Sequence, residues 1–205
     1  MRGFFKLFIF SFFLLVLEFI IIPSFSSPAD AQFVGCWVTK IGNPSGPSPT
    51  LSPECASQAG QAVVNLGRQH LAGSYIWYTP APRDWAAFPP SNAPTHFDCS
   101  GFAGWVWYWA TNGRVYMHGQ TDGDWFDKSG KYIKYLAKDQ AQLQPGDLVY
   151  FGTLSSVHHV GIFEGPGACG KTNCFLEWYT TGEPGRSNSL SNEPDFVGFL
   201  RPVLN

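Results

Sequence analysis

Charge is scarce in this chain. Only 14% of its 205 residues are charged, with 13 Lys and Arg against 15 Asp and Glu, and the basic residues form no run. Binding to phosphate backbones needs a basic stripe that displaces counterions, so nucleic acid is excluded as a partner. The polar, highly charged composition of disordered chains is lacking too, because 44% of the residues are apolar. There are no internal repeats, and low-complexity sequence is confined to one Pro/Gly/Ser-rich stretch. No Cys/His pattern carries zinc-finger or ribbon spacing, so neither a metal nor a cofactor is expected.

What is abundant is aromatic. Phe, Trp and Tyr make up 17% of the chain, with eight Trp. Two uses compete for them: a core of large side chains, or a groove wall for an extended ligand. The one long apolar run lies at the start. Arg2 and Lys6 precede a stretch from Leu7 to Ile22 broken only by Ser11 and Glu18. Ala29-Asp30-Ala31 then fits the small-x-small rule for cleavage before Gln32. An uncleaved anchor is the alternative, although Glu18 is costly in lipid. On either reading the rest of the chain is exported, to the cell envelope or beyond it. Membrane contact is expected only through this segment, and only if it stays uncleaved. The length suits one folded domain, and the expected division is a signal peptide at 1–31, a lead-in at 32–53 and a catalytic domain at 54–205. A monomer is expected.

Five cysteines are present: Cys36, Cys55, Cys99, Cys169 and Cys174. Disulfides persist outside the cytosol. Cys169 and Cys174 bracket a small-residue loop, and Cys36 and Cys55 flank the Pro/Gly/Ser-rich stretch. Pairing each couple leaves Cys99 alone, as an intermolecular or a reactive thiol; other connectivities remain open.

Residues 54–72 place Ala59, Ala62, Val63, Leu66 and Leu71 on one helical face, with Ser52 as a possible cap and Gly73 after the end. Residues 75–78 read as a short strand, and 80–94 as a loop rich in Pro and aromatics. From Cys99 to Thr111 the chain is apolar all round and stops at Asn112-Gly113, which predicts a buried helix. Residues 115–142 are mixed and read as helical turns and loops. Short β-rich runs follow at 148–151, 160–163, 175–180 and 196–200. Helices first and strands afterwards predict an α+β domain with an antiparallel sheet.

Cys99 follows Asp98 and opens the buried helix. Free N–H groups and the positive end of the helix dipole favour a thiolate there, which is the attacking form. The plain alternative is a small buried hydrophobe. A thiolate needs a base, and His159 is the best candidate among five histidines. It begins a strand in which alternation puts His159, Gly161 and Phe163 on one face and His158 on the other. Gly161 leaves room beside that face for another backbone or a ligand.

Three blocks together resemble the NlpC family of papain-like cell-wall cysteine peptidases. They are Phe97-Asp98-Cys99-Ser100-Gly101-Phe102, the run from Leu143 through Pro145-Gly146-Asp147 to Phe151, and His159-Val160-Gly161-Ile162-Phe163. Gly73-Ser74-Tyr75-Ile76-Trp77 is similar to the family's tyrosine segment, and Val197-Gly198-Phe199-Leu200-Arg201 to its closing strand. The resemblance implies a papain-like α+β fold with the nucleophile at the N-terminus of a buried helix packed on the sheet. It also implies a Cys99–His159 pair oriented by a third polar residue. Glu177 falls at that third position, where the family more often carries His, Asn or Gln; an exposed strand carboxylate is the alternative. Tyr75, Asp98 and Ser100 fall where the family meets its substrate, although Asp98 equally suits a helix cap. The implied substrate is a peptidoglycan stem peptide, cut between the γ-carboxyl of D-glutamate and the diamino acid. The competing functions are an amidase or acyltransferase on the same core, and an inactive wall-binding module.

Overall fold

Helix α1 (Pro53–Ala72) buries Ala59, Val63, Val64 and Leu66, the face that apolar spacing marks out. The computed structural model describes residues 53–72, 77–78, 96–115, 117, 120–179 and 182–204. The targeting segment, the lead-in as far as Ser52, Tyr75 and the loop at 80–94 lie outside the described residues. Two-residue strands β1 (Trp77–Tyr78) and β2 (His96–Phe97) pair in parallel.

Helix α2 (Cys99–Ala110) is buried throughout except at Tyr108 and Trp109. It starts where Asp98 leaves helical geometry and stops where Asn112 and Gly113 take positive φ, 51° and 78°. Gly113 N–H then closes the end on the Tyr108 carbonyl at 2.7 Å. The short helix α3 (Thr121–Trp125) follows.

The remaining strands form one antiparallel sheet: β3 (Tyr132–Leu136), β4 (Leu148–Thr153), β5 (Ser156–Gly165), β6 (Cys174–Glu177), β7 (Arg186–Ser189) and β8 (Phe196–Pro202). Their order across the sheet is β3-β8-β4-β5-β6-β7. The expected α+β, papain-like class is the one observed, with α2 packed on the sheet.

Alternation along β4 separates two apolar layers. Leu148 and Tyr150 join Val160, Ile162 and Leu176 against Phe102, Trp105 and Val106 of α2. Val149 and Phe151 join Phe163, Phe175 and Phe199 on the other face. Trp105, Trp125 and Trp178 are each 1% exposed. Among the described residues, then, the abundant aromatics serve mainly as core, and each contributes about 1.5–3 kcal/mol by leaving water.

Two edge strands depart from the sequence expectation. The sequence expectation for residues 115–142 is helical turns and loops, and they contain α3 but also β3. Ile133 is 49% exposed and Leu136 37%, so the inward alternation that marks a strand is missing. The ladder to β8 holds it instead, in register from Tyr132↔Pro202 to Leu136↔Gly198. β7 reads Arg-Ser-Asn-Ser, which has no apolar signal at all.

The Pro145-Gly146-Asp147 turn does structural work. Gly146 has φ 93°, and a Cβ on Gly60 of α1 would fall 1.9 Å from the Pro145 carbonyl oxygen. The helix and turn are therefore in backbone contact. Arg201 holds both Asp147 carboxylate oxygens, at 2.8 and 2.7 Å. The Cys169 and Cys174 sulfurs are 2.14 Å apart and Cys99 is a free thiol. The expected bridge from Cys55 runs to Cys36, which lies outside the described residues. Among those residues no helix is long and apolar enough to cross a membrane.

Candidate active site

Cys99 is the first residue of α2 and is 7% exposed. The Asp98 Oδ1 accepts the Gly101 N–H at 2.7 Å and the Ser100 hydroxyl at 3.3 Å. Asp98 therefore caps the helix and fixes the orientation of its first turn. Asp98 and Ser100 are each 4% exposed, so these contacts carry the capping role. Tyr75, the other candidate for substrate contact, lies outside the described residues.

His159 reaches Cys99 because of an irregularity in the β4–β5 ladder. Phe151 pairs with His159, but the next pair is Gly152 with Val157. The additional residue, His158, sits in the bulge, and such bulges re-aim side chains. His159 is 4% exposed, whereas the His158 side chain is 58% exposed, with Nε2 3.3 Å from Asp195. His159 is thus buried and His158 exposed, as expected, while Phe163 packs in the layer that Cys99 and α2 do not join.

Gly161 brings the third residue in. A Cβ there would lie 2.5 Å from the Phe175 ring and 2.8 Å from the Leu176 carbonyl oxygen. The space it leaves is filled by β6, not by a ligand. Glu177, at the end of β6, is fully buried and places Oε2 2.8 Å from His159 Nε2. That contact occupies Nε2 and leaves Nδ1 as the ring nitrogen available to Cys99, with which His159 interacts electrostatically.

The electrostatics favour a charged pair. Burial alone would raise the Cys99 thiol, but the hydrogen bond and charge of His159 outweigh it and hold the thiol below its ordinary value. Burial likewise opposes the imidazolium, yet hydrogen bonds to Cys99 and Glu177 raise His159 to about 9. Burial disfavours the Glu177 carboxylate too. Hydrogen bonds from His159 and Arg186 reverse that effect and lower it. The pair is therefore thiolate and imidazolium between the acid limit set by Cys99 and the alkaline limit set by His159, two apparent constants that belong to the pair.

Four neighbours of this site escape sequence reasoning. The Thr121 hydroxyl is 3.7 Å from Cys99 Sγ. Arg186 and Asn188 both donate to Glu177. The Tyr179 ring stands edge-on to His159, 4.9 Å between centroids. Thr121 and the β7 pair sit in stretches without hydrophobic periodicity, and only the tertiary fold brings them near Cys99 or Glu177.

Thr121 yields a direct test. Its hydroxyl stabilises the thiolate, so Thr121→Val should slow iodoacetamide alkylation of Cys99 at neutral pH by about two- to ten-fold, the worth of one hydrogen bond. Thr121→Ser should react like wild type. Equal rates for Val and wild type would remove Thr121 from the site.

Comparison with known proteins adds a family likeness. Residues 81–180 match the NlpC/P60 family. A probable endopeptidase p60 of Listeria seeligeri is 31% identical over 105 residues, covering 51% of this chain and 16% of that protein. Its counterpart in Listeria innocua is 32% identical over 106 residues, 52% of this chain and 18% of that protein. The chain thus spans under a fifth of the length of these curated relatives. NlpC2 from Trichomonas vaginalis superposes with a TM-score of 0.50 at 24% identity, covering 72% of this chain and 47% of that one. The Resuscitation Promoting Factor Interacting protein RipA superposes at 0.51 with 20% identity, covering 80% and 70%. At these identities the superpositions speak for the fold alone.

Proposed function

We propose that this chain, whose residues 81–180 match the NlpC/P60 family, is an exported cysteine peptidase of that family hydrolysing stem peptides of peptidoglycan. The bond proposed joins the γ-carboxyl of D-glutamate to the following diamino acid. The observation that carries the reading is buried His159, bonded through Nε2 to Glu177 and interacting electrostatically with Cys99 at the first residue of α2. The likeness to proteins named probable endopeptidase p60 supports hydrolysis of a peptide bond.

The chemistry follows from the geometry. The Cys99 thiolate attacks the amide carbonyl, and negative charge develops at the positive end of α2. His159 gives its Nδ1 proton to the leaving amine as the C–N bond breaks. Water then attacks the thioester, its proton passes to His159, and the acid product leaves. Glu177 holds the imidazole in the orientation and charge state that both proton transfers need. No cofactor enters the scheme.

The test is mass spectrometry of fragments released from purified peptidoglycan. The expected result is a new free amine on the diamino acid and a glutamate γ-carboxylate, both absent with Cys99→Ala. Release through glycan-strand cleavage alone, or no release, would contradict the reading.

A further inference from the structure

We propose that Arg186 and Asn188, on strand β7, are positioning residues for catalysis that lock Glu177 so that a single oxygen faces His159. The inference rests on the peptidase reading but adds residues to it.

Glu177 is fully buried, and a buried carboxylate is tolerated only when its oxygens are occupied. The Arg186 Nε donates to Oε1 at 2.7 Å and the Asn188 Nδ2 to the same oxygen at 2.9 Å. Oε2 is left to His159 at 2.8 Å. The ladder makes this arrangement, because Glu177 pairs with Arg186 and Phe175 with Asn188. Residues two apart on β7 present their side chains to the same face, so both donors approach Glu177 together.

Asn188 is itself fixed. Its Nδ2 also reaches Glu193 Oε1 at 2.8 Å, and its Oδ1 accepts from Asn192 Nδ2 at 2.8 Å. Arg186 continues outward, with its guanidinium 5.5 Å from the Tyr179 ring that covers His159. This accounts for a strand of sequence Arg-Ser-Asn-Ser at a sheet edge: its polar side chains hold the third residue of the site.

The groups facing His159 and Glu177 are Cys99 from α2, with Asp98 before it, Arg186 from β7 and Tyr179 after β6. Glu193 adds charge through Asn188, and the His158–Asp195 pair lies across the bulge. Arg186 is a second cation in direct contact with Glu177, beside His159 itself. Removing Arg186 leaves the Glu177 charge unbalanced, and added negative potential favours protonation of both Cys99 and His159.

The experiment measures kcat and KM on a γ-glutamyl-diamino acid peptide, and iodoacetamide alkylation of Cys99, each across pH. Arg186→Met should lower kcat by about ten-fold or more with little change in KM, and should move both limbs of the alkylation profile to higher pH. Arg186→Lys keeps the charge and should return the limbs while recovering kcat only in part. Asn188→Ala should lower kcat without moving the limbs. Wild-type kcat and limbs in Arg186→Met, or a loss confined to KM, would overturn the proposal. Alkylation requires no substrate, so shifted limbs in a protein that cuts no stem peptide would sink the peptidase reading and leave the positioning role standing. If Arg186→Met fails to fold, the contrast between Arg186→Lys and Asn188→Ala carries the same decision.

Discussion

Cys99→Ala is expected to abolish hydrolysis of stem peptides, a loss of about 10⁴-fold or more, because the covalent route disappears with the sulfur. Folding should be nearly untouched. The sulfur is buried and its removal leaves a small void, which costs on the order of 1 kcal/mol. That cost is offset by relief of a desolvated thiolate–imidazolium pair. Thermal denaturation should therefore shift by no more than a few degrees. Fragment release at the wild-type rate by a folded Cys99→Ala protein would reject the nucleophile assignment. So would an active protein in which Cys99 is bridged to another cysteine.

His159→Ala should match that loss, while His158→Ala should retain most activity. The two residues are adjacent, yet one is 4% exposed beside Cys99 and the other projects outward toward Asp195. The stronger measurement is pH-resolved alkylation. The lowering of the Cys99 thiol comes first from its hydrogen bond to His159 and then from His159 charge. With alanine at 159 the opposing effects of burial and of the Asp98 charge remain, against the smaller contribution of Thr121, so the alkylation midpoint should move to higher pH. Wild-type protein should lose activity on the acid side as the thiolate is protonated and on the alkaline side near pH 9 as the imidazolium is lost. A profile unchanged in His159→Ala, or a dead His158→Ala variant, would place the base elsewhere.

How much of the site is readable from sequence depends on whether a residue acts through local or distant neighbours. Cys99 is legible because its environment is local: Asp98 before it, an all-apolar helix behind it and an odd cysteine count. His159 is legible through strand alternation and its block, although the bulge that separates it from His158 is a property of pairing with β4. Glu177 is a weaker inference from sequence, since a strand carboxylate is ordinarily exposed. Only the approach of β6 across Gly161 and the donors on β7 make a fully buried one tenable.

The sequence by itself determined what periodicity and local chemistry can encode: the α1 and α2 helices, the buried strands β4, β5, β6 and β8, the cap at Asp98 and the stop at Asn112-Gly113. Each is written in apolar spacing or backbone preference within a few residues. The tertiary structure alone decided the edge strands β3 and β7, the bulge at His158 and the contacts of Thr121, Arg186 and Asn188. Edge strands bury little, so no apolar pattern announces them. They exist because a neighbouring strand offers its hydrogen bonds, and β7 exists also because a buried carboxylate needs the donors it carries.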